Sequence, residues 1–223
     1  PRLIAEYAPR ERPDPWQPPR PEVRELQSLT RRRDDLRRLA AREKGRLAAP
    51  GLADAERQSL ARTLDFLDGE AGRLQAQADQ LVAADEPLRA DGALLRTIPG
   101  VGPVAAQAIL AELPEPARFA SAQQAAAYAG LAPREFRSGT SVKRRTRLSK
   151  AGNARLRKAL YLPALTAVRF NPRLKALYDR LVGAGKAKMA ALGACMRKLL
   201  MIAYGVLKNR APFDPSWQSK TVP

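Results

Sequence analysis

Leucine and alanine recur at helical spacing through the first part of the chain. Between residues 22 and 48 they fall on one helical face, at Leu26, Leu29, Leu36, Ala40 and Leu47. Between residues 55 and 83 they alternate in steps of four and three, the seam of a coiled coil, at Leu60, Leu64, Leu67, Ala71, Leu74, Ala78 and Leu81. The pattern predicts two long helices, broken at Pro50 and Gly51. They pair either with each other as an antiparallel hairpin or with a second chain.

Beyond residue 91 the pattern predicts shorter helices and almost no strand. A helix, a tight turn and a second helix fill 91–113, and a short helix follows at 121–130 with Ser121 as its N-cap. Residues 131–153 are predicted as a basic loop that includes, as an option, a short hairpin. Further helices are expected at 153–169, 172–183 and 186–207. The fold class is therefore all-α: a long helical, coiled-coil-like hairpin followed by a compact helical domain that contains a helix-hairpin-helix.

Proline and charge divide the chain into segments. Five prolines lie between residues 13 and 21, which excludes regular helix there. We predict a remnant of a preceding domain with a proline-rich linker at 1–21, a coiled-coil region at 22–90, a basic domain at 91–215 and a tail at 216–223. The chain opens on Pro1 rather than Met. We expect a fragment, with a processed start as the alternative.

The net charge of +18 is confined to one part of the sequence. Residues 1–133 hold 19 Lys and Arg and 19 Asp and Glu, whereas residues 134–223 hold 21 Lys and Arg against Glu135, Asp179 and Asp214. This asymmetry indicates a polyanionic partner, nucleic acid before an acidic membrane surface, and simple solubility is the alternative. The apolar runs at 159–168 and 199–207 are too short to cross a bilayer, and we find no signal peptide.

Composition excludes several kinds of chemistry. The chain has no His and a single Cys, Cys195. It therefore supplies no Ser-His-Asp triad, Cys-His pair, zinc site or internal disulfide. We expect a protein of the reducing cytoplasm. Aromatic residues make up only 5% of the sequence, which argues against recognition of single strands by base stacking.

Two segments have the composition of phosphate-binding sites. In IPGVGP, at 98–103, Gly100 and Gly102 permit a sharp turn, and the amides around Val101 face outward at a helix N-terminus. A glycine-containing turn between two packed helices is the alternative. The other segment is the basic stretch 134–158, which suits contacts along a nucleic-acid backbone or, as the alternative, forms a solvated surface. Its candidate phosphate-binding residues are Arg134, Arg137, Lys143, Arg144, Arg145, Arg147, Lys150 and Arg155.

One serine lies within the basic stretch and is a candidate nucleophile. Ser138 precedes Gly139, and the cations Arg134, Arg137 and Lys143 around it would stabilise a scissile phosphate. A Ser-Gly step is more often simply a turn. The rival nucleophiles are Thr140 and Ser141 nearby and Tyr161 on the following helix.

Three ordered motifs resemble a known family. LLRTIPGVGPVAAQAILAEL, FASAQQAAAYAGLAPREFRSGTS and RLSKAGNARLRKALYLPA are similar to the C-terminal domain of DEDD-type insertion-sequence transposases, a group that includes site-specific DNA invertases. The resemblance covers about 91–215 and extends to the helices at 22–83.

The resemblance implies a bacterial DNA transposase that recombines DNA. It implies that Ser138, after AGLAP, attacks DNA. In the family a divalent metal, expected to be Mg²⁺, is bound by four acidic residues of an N-terminal RuvC-like domain. None of these residues can be placed in this sequence, so we expect that domain to be missing here, and the chain by itself to be inactive and to bind no cofactor. The implied partners are double-stranded DNA, a structured guide RNA and further copies of the chain joined through the helical region. The alternatives are a non-catalytic helix-hairpin-helix DNA-binding module and a structured-RNA-binding module.

Overall fold

The computed structural model describes residues 2–12, 17–138 and 142–216. Within these ranges the regular structure is helical except for one small two-stranded antiparallel sheet, which confirms the all-α class. The described residues also include a 3₁₀ turn at Pro116–Arg118. The elements in chain order are α1 (Arg2–Glu11), α2 (Pro21–Leu47), α3 (Asp54–Ala84), α4 (Glu86–Arg96), α5 (Pro103–Glu112), α6 (Ala122–Tyr128), β1 (Pro133–Ser138), β2 (Val142–Leu148), α7 (Ala154–Ala159), α8 (Tyr161–Phe170), α9 (Pro172–Gly183) and α10 (Lys188–Asn209).

The two long helices α2 and α3 pack against each other within the chain. Their apolar seam buries Leu36 and Ala40 of α2 against Leu67 and Ala71 of α3. Gly51 closes the connection with φ +79°, a conformation that glycine adopts without strain. Of the two predicted arrangements, the antiparallel hairpin within one chain is the one observed.

A buried arginine interrupts the seam of this hairpin. Arg33 is 4% exposed and donates from Nη1 to the Gln75 side chain at 2.5 Å and from Nη2 to Asp34 at 2.7 Å. Gln75 continues to Gln107 of α5 at 2.7 Å, and Gln107 donates to Asp79 at 2.6 Å. Because these bonds join α2, α3 and α5, they attach the helical hairpin to the domain that follows it.

The core of the basic domain surrounds α10. Leu199 and Leu200 of this helix are fully buried, in one apolar cluster with residues of α4 to α9 and with Leu26 and Ala78 of the helical hairpin. α10 is long and apolar enough to span a membrane by length and composition, which corrects the estimate from its apolar run alone. It is 61% buried inside the protein, as a core helix is.

The structure changes three local expectations. The predicted basic loop contains a two-stranded ribbon, and its short-hairpin option is the correct one. The helix expected at 153–169 is divided at Leu160, because Pro163 cannot donate a backbone hydrogen bond to the preceding turn. The apolar pattern predicts Val104, together with Ala108 and Ile109, as a core residue; Ala108 and Ile109 are buried, but Val104, in the first turn of α5, is 48% exposed. The division into domains at residue 90 stays a prediction.

Candidate nucleic-acid interface

The basic segment forms an antiparallel ribbon of β1 and β2. In its register Arg137 pairs with Lys143, Ser138 with Val142, and Arg134 with Arg147. Between Arg134 and Phe136 the register shifts, so that two residues of β2 oppose one of β1, as in a β-bulge. Ser138 is the last residue of β1, while its rivals Thr140 and Ser141 lie outside the described residues, as does Gly139.

The ribbon aligns cationic positions across its two strands. Arg134 stands opposite Arg147, both exposed, and the Cα register places Arg137 opposite Lys143. Like charges directly opposite each other destabilise an antiparallel pair, and an isolated two-stranded sheet is marginally stable at best. The register therefore brings cationic positions of the two strands together on one small element. Arg144 and Arg145 continue the same strand.

Two glycines fix the base of the ribbon. Gly152 has φ +129°, and a Cβ there would overlap the backbone carbonyl oxygen of Tyr128; Gly130 has φ +68°. The Lys150 amide donates to the Gly130 carbonyl at 3.1 Å, and the Asn153 amide donates to the Tyr128 carbonyl at 2.7 Å. These bonds hold the exit of β2 against the end of α6, so that AYAG and KAGN form one junction.

The same junction is attached to the helical hairpin through a buried carboxylate. Glu112, 5% exposed, accepts from Arg31 Nε at 2.6 Å and Nη2 at 2.9 Å, and from Asn153 Nδ2 at 2.9 Å. Asn153 Oδ1 in turn caps α7 by accepting from the amides of Arg155 and Leu156, both at 3.0 Å. A short polar chain thus runs from α2 through Glu112 to the helix that follows the ribbon.

The charges in this chain of contacts are mutually stabilised. Burial by itself raises the pKa of Glu112, but hydrogen bonds from Arg31 and Asn153 outweigh it, and the net pKa lies below the ordinary value. The hydrogen bond to Glu112 likewise raises the pKa of Arg31. Glu112 is therefore a structural anion, already paired, rather than a proton donor.

The glycine turn before α5 is the second predicted phosphate site. Gly100 has φ +101°, and a Cβ there would lie 2.7 Å from the Ala167 backbone nitrogen of α8, so the close approach it permits is internal. The Val101 amide donates to the Ile98 carbonyl at 2.9 Å, and the Val101 side chain is buried. Gly102 is exposed and begins α5 without a side-chain cap. The candidate donors that remain for an anion are the amides of Gly102, Val104 and Ala105, because Pro103 has no N–H.

The two predicted phosphate sites lie at opposite ends of α5. Gly102 precedes its first residue, and Glu112, which holds the junction at the base of the ribbon, is its last. A ten-residue helix is about 15 Å long. α8 follows α7 and, through Ala167, contacts the Gly100 turn, so it also connects the two sites.

The other candidate binding and nucleophilic residues lie on the elements that follow the ribbon. Arg155 lies beside Asp35 of α2 at 3.5 Å, and Lys150 is exposed at the ribbon base with φ +56°. Tyr161 is 38% exposed at the start of α8. Cys195 is buried, which raises the pKa of its thiol to about 11 and makes it a poor nucleophile. Among the residues that the structure describes, no cluster of three or more His, Cys, Asp or Glu side chains could hold a metal ion.

The sequence pattern missed the polar residues that join the two parts of the molecule. Arg33 occupies a seam position between Leu29 and Leu36 and reads as a surface arginine. Glu112 ends an apolar run and reads as a solvated helix terminus. The one available signal was Asn153, because Asn before a helical segment is a common N-cap.

Comparisons with known proteins give the chain a family context. Residues 92–179 match the sequence model described as "Transposase IS116/IS110/IS902 family". The pilin gene-inverting protein of Moraxella bovis is 32% identical over 214 residues, which cover 95% of this chain and 66% of the relative. The insertion element IS110 uncharacterized 43.6 kDa protein of Streptomyces coelicolor is 31% identical over 159 residues, which cover 71% of this chain and 38% of the relative.

A further relative is the putative transposase y4pF/y4sB of Sinorhizobium fredii, 35% identical over 118 residues that cover 50% of this chain and 30% of the relative. The chain spans just under two thirds of the pilin gene-inverting relative and well under half of the other two. The matched family domain includes the Gly100 turn, the ribbon, the KAGN junction and α8.

Proposed function

Because residues 92–179 form a domain of the transposase IS116/IS110/IS902 family, we propose that this chain is the DNA-binding and strand-transferring part of a DNA transposase or invertase. The relatives named for transposition and for pilin gene inversion both imply DNA recombination as the activity. Its partner is double-stranded DNA, held mainly through the phosphate backbone, in the cytoplasm where chromosomal DNA lies.

The observation that carries this proposal is the register of the ribbon. Arg134 opposite Arg147, and Arg137 opposite Lys143, place four cationic residues in facing positions on one two-stranded ribbon. A two-stranded ribbon fits the major groove of DNA, and each phosphate that a cation neutralises releases counterions. The start of α5, which the length of that helix (about 15 Å) separates from the ribbon base, would add a second phosphate contact that reads no sequence.

Duplex binding measured across a range of KCl concentrations tests the proposal. The double variant Arg144→Gln/Arg145→Gln should weaken binding about ten-fold and lower the slope of log K against log salt by roughly 1 to 2, because each lost phosphate contact removes about 0.9. The matched control is Arg37→Gln/Arg38→Gln, two adjacent arginines of the helical hairpin, and its slope should stay unchanged. Equal slopes for the two double variants would refute the assignment of the ribbon.

Ser138 is proposed as the nucleophile of strand transfer. Its oxygen would form a bond to phosphorus while one phosphorus–oxygen ester bond of the DNA breaks, and the departing DNA oxygen would take up a proton to leave as a hydroxyl. The cations proposed to hold phosphate, Arg134, Arg137 and Lys143, would stabilise the charge that develops on the phosphoryl oxygens. The described residues provide no fitting metal site, so we derive no step through Mg²⁺ from this chain.

A strand-transfer assay tests this role. The chain is fused to the part of the pilin gene-inverting relative that it does not cover, and Ser138→Ala is compared with Thr140→Ala and Ser141→Ala. We expect Ser138→Ala alone to abolish the joined product while DNA affinity is kept. Recombination by Ser138→Ala at the native rate would show that the nucleophile lies elsewhere.

Two partners follow from the resemblance. We propose a structured guide RNA, which the same cations would grip, and competition between duplex DNA and structured RNA for the chain measures which is preferred. Tighter binding of RNA, with silent Ser138→Ala, would favour the RNA-binding module. We also propose homo-oligomerisation through the helical region. Because Leu36, Ala40, Leu67 and Ala71 are buried within the chain, a second copy would contact the outer faces of α2 and α3, and sedimentation tests this.

A further inference from the structure

The outward face of α8 is apolar although the helix lies at the surface. Leu162 is 68% exposed and Phe170 69%, and Tyr161 and Leu165 are also exposed. On the opposite side Pro163, Ala164 and Ala167 are buried, and the helix packs against α9 and α10. The inner side of α8 is therefore already packed against the protein, and the apolar outward face is left exposed to solvent.

The charge around this face is positive and is not balanced locally. Lys158 at the end of α7 and Arg169 of α8 are exposed, and Arg169 falls at helical spacing from Leu162 and Leu165. No Asp or Glu occurs between residues 154 and 178. A surface that combines exposed apolar groups with unbalanced cations complements a partner that is both anionic and apolar. Nucleic acid with accessible bases has this combination, since phosphates alternate with flat apolar rings.

The position of α8 in the fold supports the same occupant. The helix starts beside α7, which follows the ribbon, and reaches the Gly100 turn through Ala167. It is ten residues long, about 15 Å, which corresponds to four or five nucleotide steps of about 3.4 Å along a strand. A strand held by phosphates at the two sites would thus cross a helix of matching length.

We propose that the outward face of α8, formed by Tyr161, Leu162, Leu165 and Phe170, contacts nucleobases that are unpaired or unstacked. This proposal rests on the proposed function and deepens it, because it assigns to α8 a binding mode other than phosphate contact. It also changes the expectation from composition. Few aromatic residues argue against base stacking, yet Tyr161 and Phe170 are both exposed, at the two ends of this one helix.

Binding of a labelled oligonucleotide of about 16 nucleotides, single-stranded or as a duplex of the same sequence, tests the proposal. The double variant Leu162→Ala/Phe170→Ala should bind the single strand about ten-fold more weakly, because stacking contributes substantially per base. Its duplex affinity should change less than about two-fold. The salt slope should equal that of the native chain, because no charge is removed.

The matched control is Met189→Ala, which removes a side chain that is 65% exposed in the same domain. Its binding of both oligonucleotides should equal the native value. All of these side chains are exposed, so the melting temperatures of the variants should equal that of the native chain. If the double variant melts at a lower temperature, Leu162→Ser alone replaces it.

The outcomes separate this proposal from the proposed function. Native single-strand affinity in the double variant, or an equal loss on single strand and duplex, overturns the role of α8 and leaves the ribbon intact. Unchanged binding with an altered sedimentation coefficient identifies the face as a contact between copies and also overturns it. A native chain that binds neither oligonucleotide in a salt-dependent way refutes the proposed function and this inference together.

Discussion

The helical hairpin and the basic domain use arginine in opposite ways. In the helical hairpin several arginines pair with acids: Arg31 with Glu112 of α5, Arg38 with Asp35, and Arg46 with Glu43. In residues 134–223 there are 21 Lys and Arg for three acids. Two cations of that segment, Arg155 and Arg210, pair with carboxylates of earlier helices, Asp35 and Asp91.

This difference separates charges that stabilise the fold through pairs within the chain from charges that lie opposite other cations. A cation that is paired or buried within the chain destabilises the protein when removed, because its partner is left unsatisfied. A cation that is opposed by another cation costs stability until an anion binds. Stability and nucleic-acid binding should therefore respond in different directions to neutralisation in the two regions.

The largest effect is expected from the backbone that fixes the base of the ribbon. Gly152→Ala should lower the free energy of unfolding by about 3 kcal/mol, because φ +129° is strained for Ala and its Cβ meets the Tyr128 carbonyl. The control, Gly51→Ala, has φ +79° in the connection of the helical hairpin with nothing within 4 Å of its Cβ, and should cost about 1 kcal/mol. Denaturant unfolding measures the free energy of unfolding of both variants. Equal losses would contradict the view that close packing at Gly152 stabilises the junction.

The buried arginine of the helical hairpin should come next. Arg33→Ala should lower the free energy of unfolding by about 2 kcal/mol, because it leaves Gln75 and Asp34 without the donor they share. The adjacent Arg32→Ala, which changes an exposed arginine of the same helix, should cost less than about 0.5 kcal/mol. A loss equal to that of Arg32→Ala would show that the polar network does not stabilise the docked hairpin.

Some features of the fold could be predicted from the sequence and others could not. Helix bounds such as 172–183 and the N-cap at Ser121 follow from local pattern, since apolar spacing and capping chemistry act within a few residues. The ribbon was predicted only as an option, because its strand VKRRTRL has no apolar alternation and depends on pairing with β1. Arg33, Gln107 and Glu112 were invisible, because each is buried by a partner at least 28 residues away.

The site shows the same division. The IPGVG turn and the basic stretch were predicted as phosphate sites from composition, and their positions at the two ends of α5 required the tertiary structure. The apolar face of α8 was absent from the prediction because exposure cannot be read from ALYLPALTAV, which resembles a core helix throughout. Apolar composition indicates burial on average, and a surface helix with a binding face departs from that average.

Glu112, which joins the helical hairpin to the basic domain, should have a smaller effect on the free energy of unfolding, and this effect should depend on pH. Because the pKa of Glu112 is lowered in the folded protein, its charge contributes stability above its unfolded pKa of about 4.3, and this contribution is lost as the pH falls through the folded pKa. Glu112→Gln should cost about 1 kcal/mol at pH 7, a value discounted because Arg31 is 41% exposed. The difference from the native chain should vanish in strong acid. A difference independent of pH would show that packing, not charge, holds the junction.

The smallest effect should differ in sign between the two regions. Arg147→Gln removes one of two facing cations in the ribbon and should raise the free energy of unfolding by about 0.3 kcal/mol at low salt, an increase that 1 M KCl screens away. Arg38→Gln breaks the exposed pair with Asp35 at 3.0 Å and should lower it by about 0.3 kcal/mol under the same conditions. Unfolding in low and high salt, without nucleic acid, measures both. If Arg147→Gln is also destabilising at low salt, repulsion between the facing arginines does not limit the stability of the ribbon, and the contrast between the two regions fails. If the two variants change stability in opposite directions as expected, repulsion between cations lowers the stability of the free ribbon. An anionic partner that binds the ribbon would relieve this repulsion.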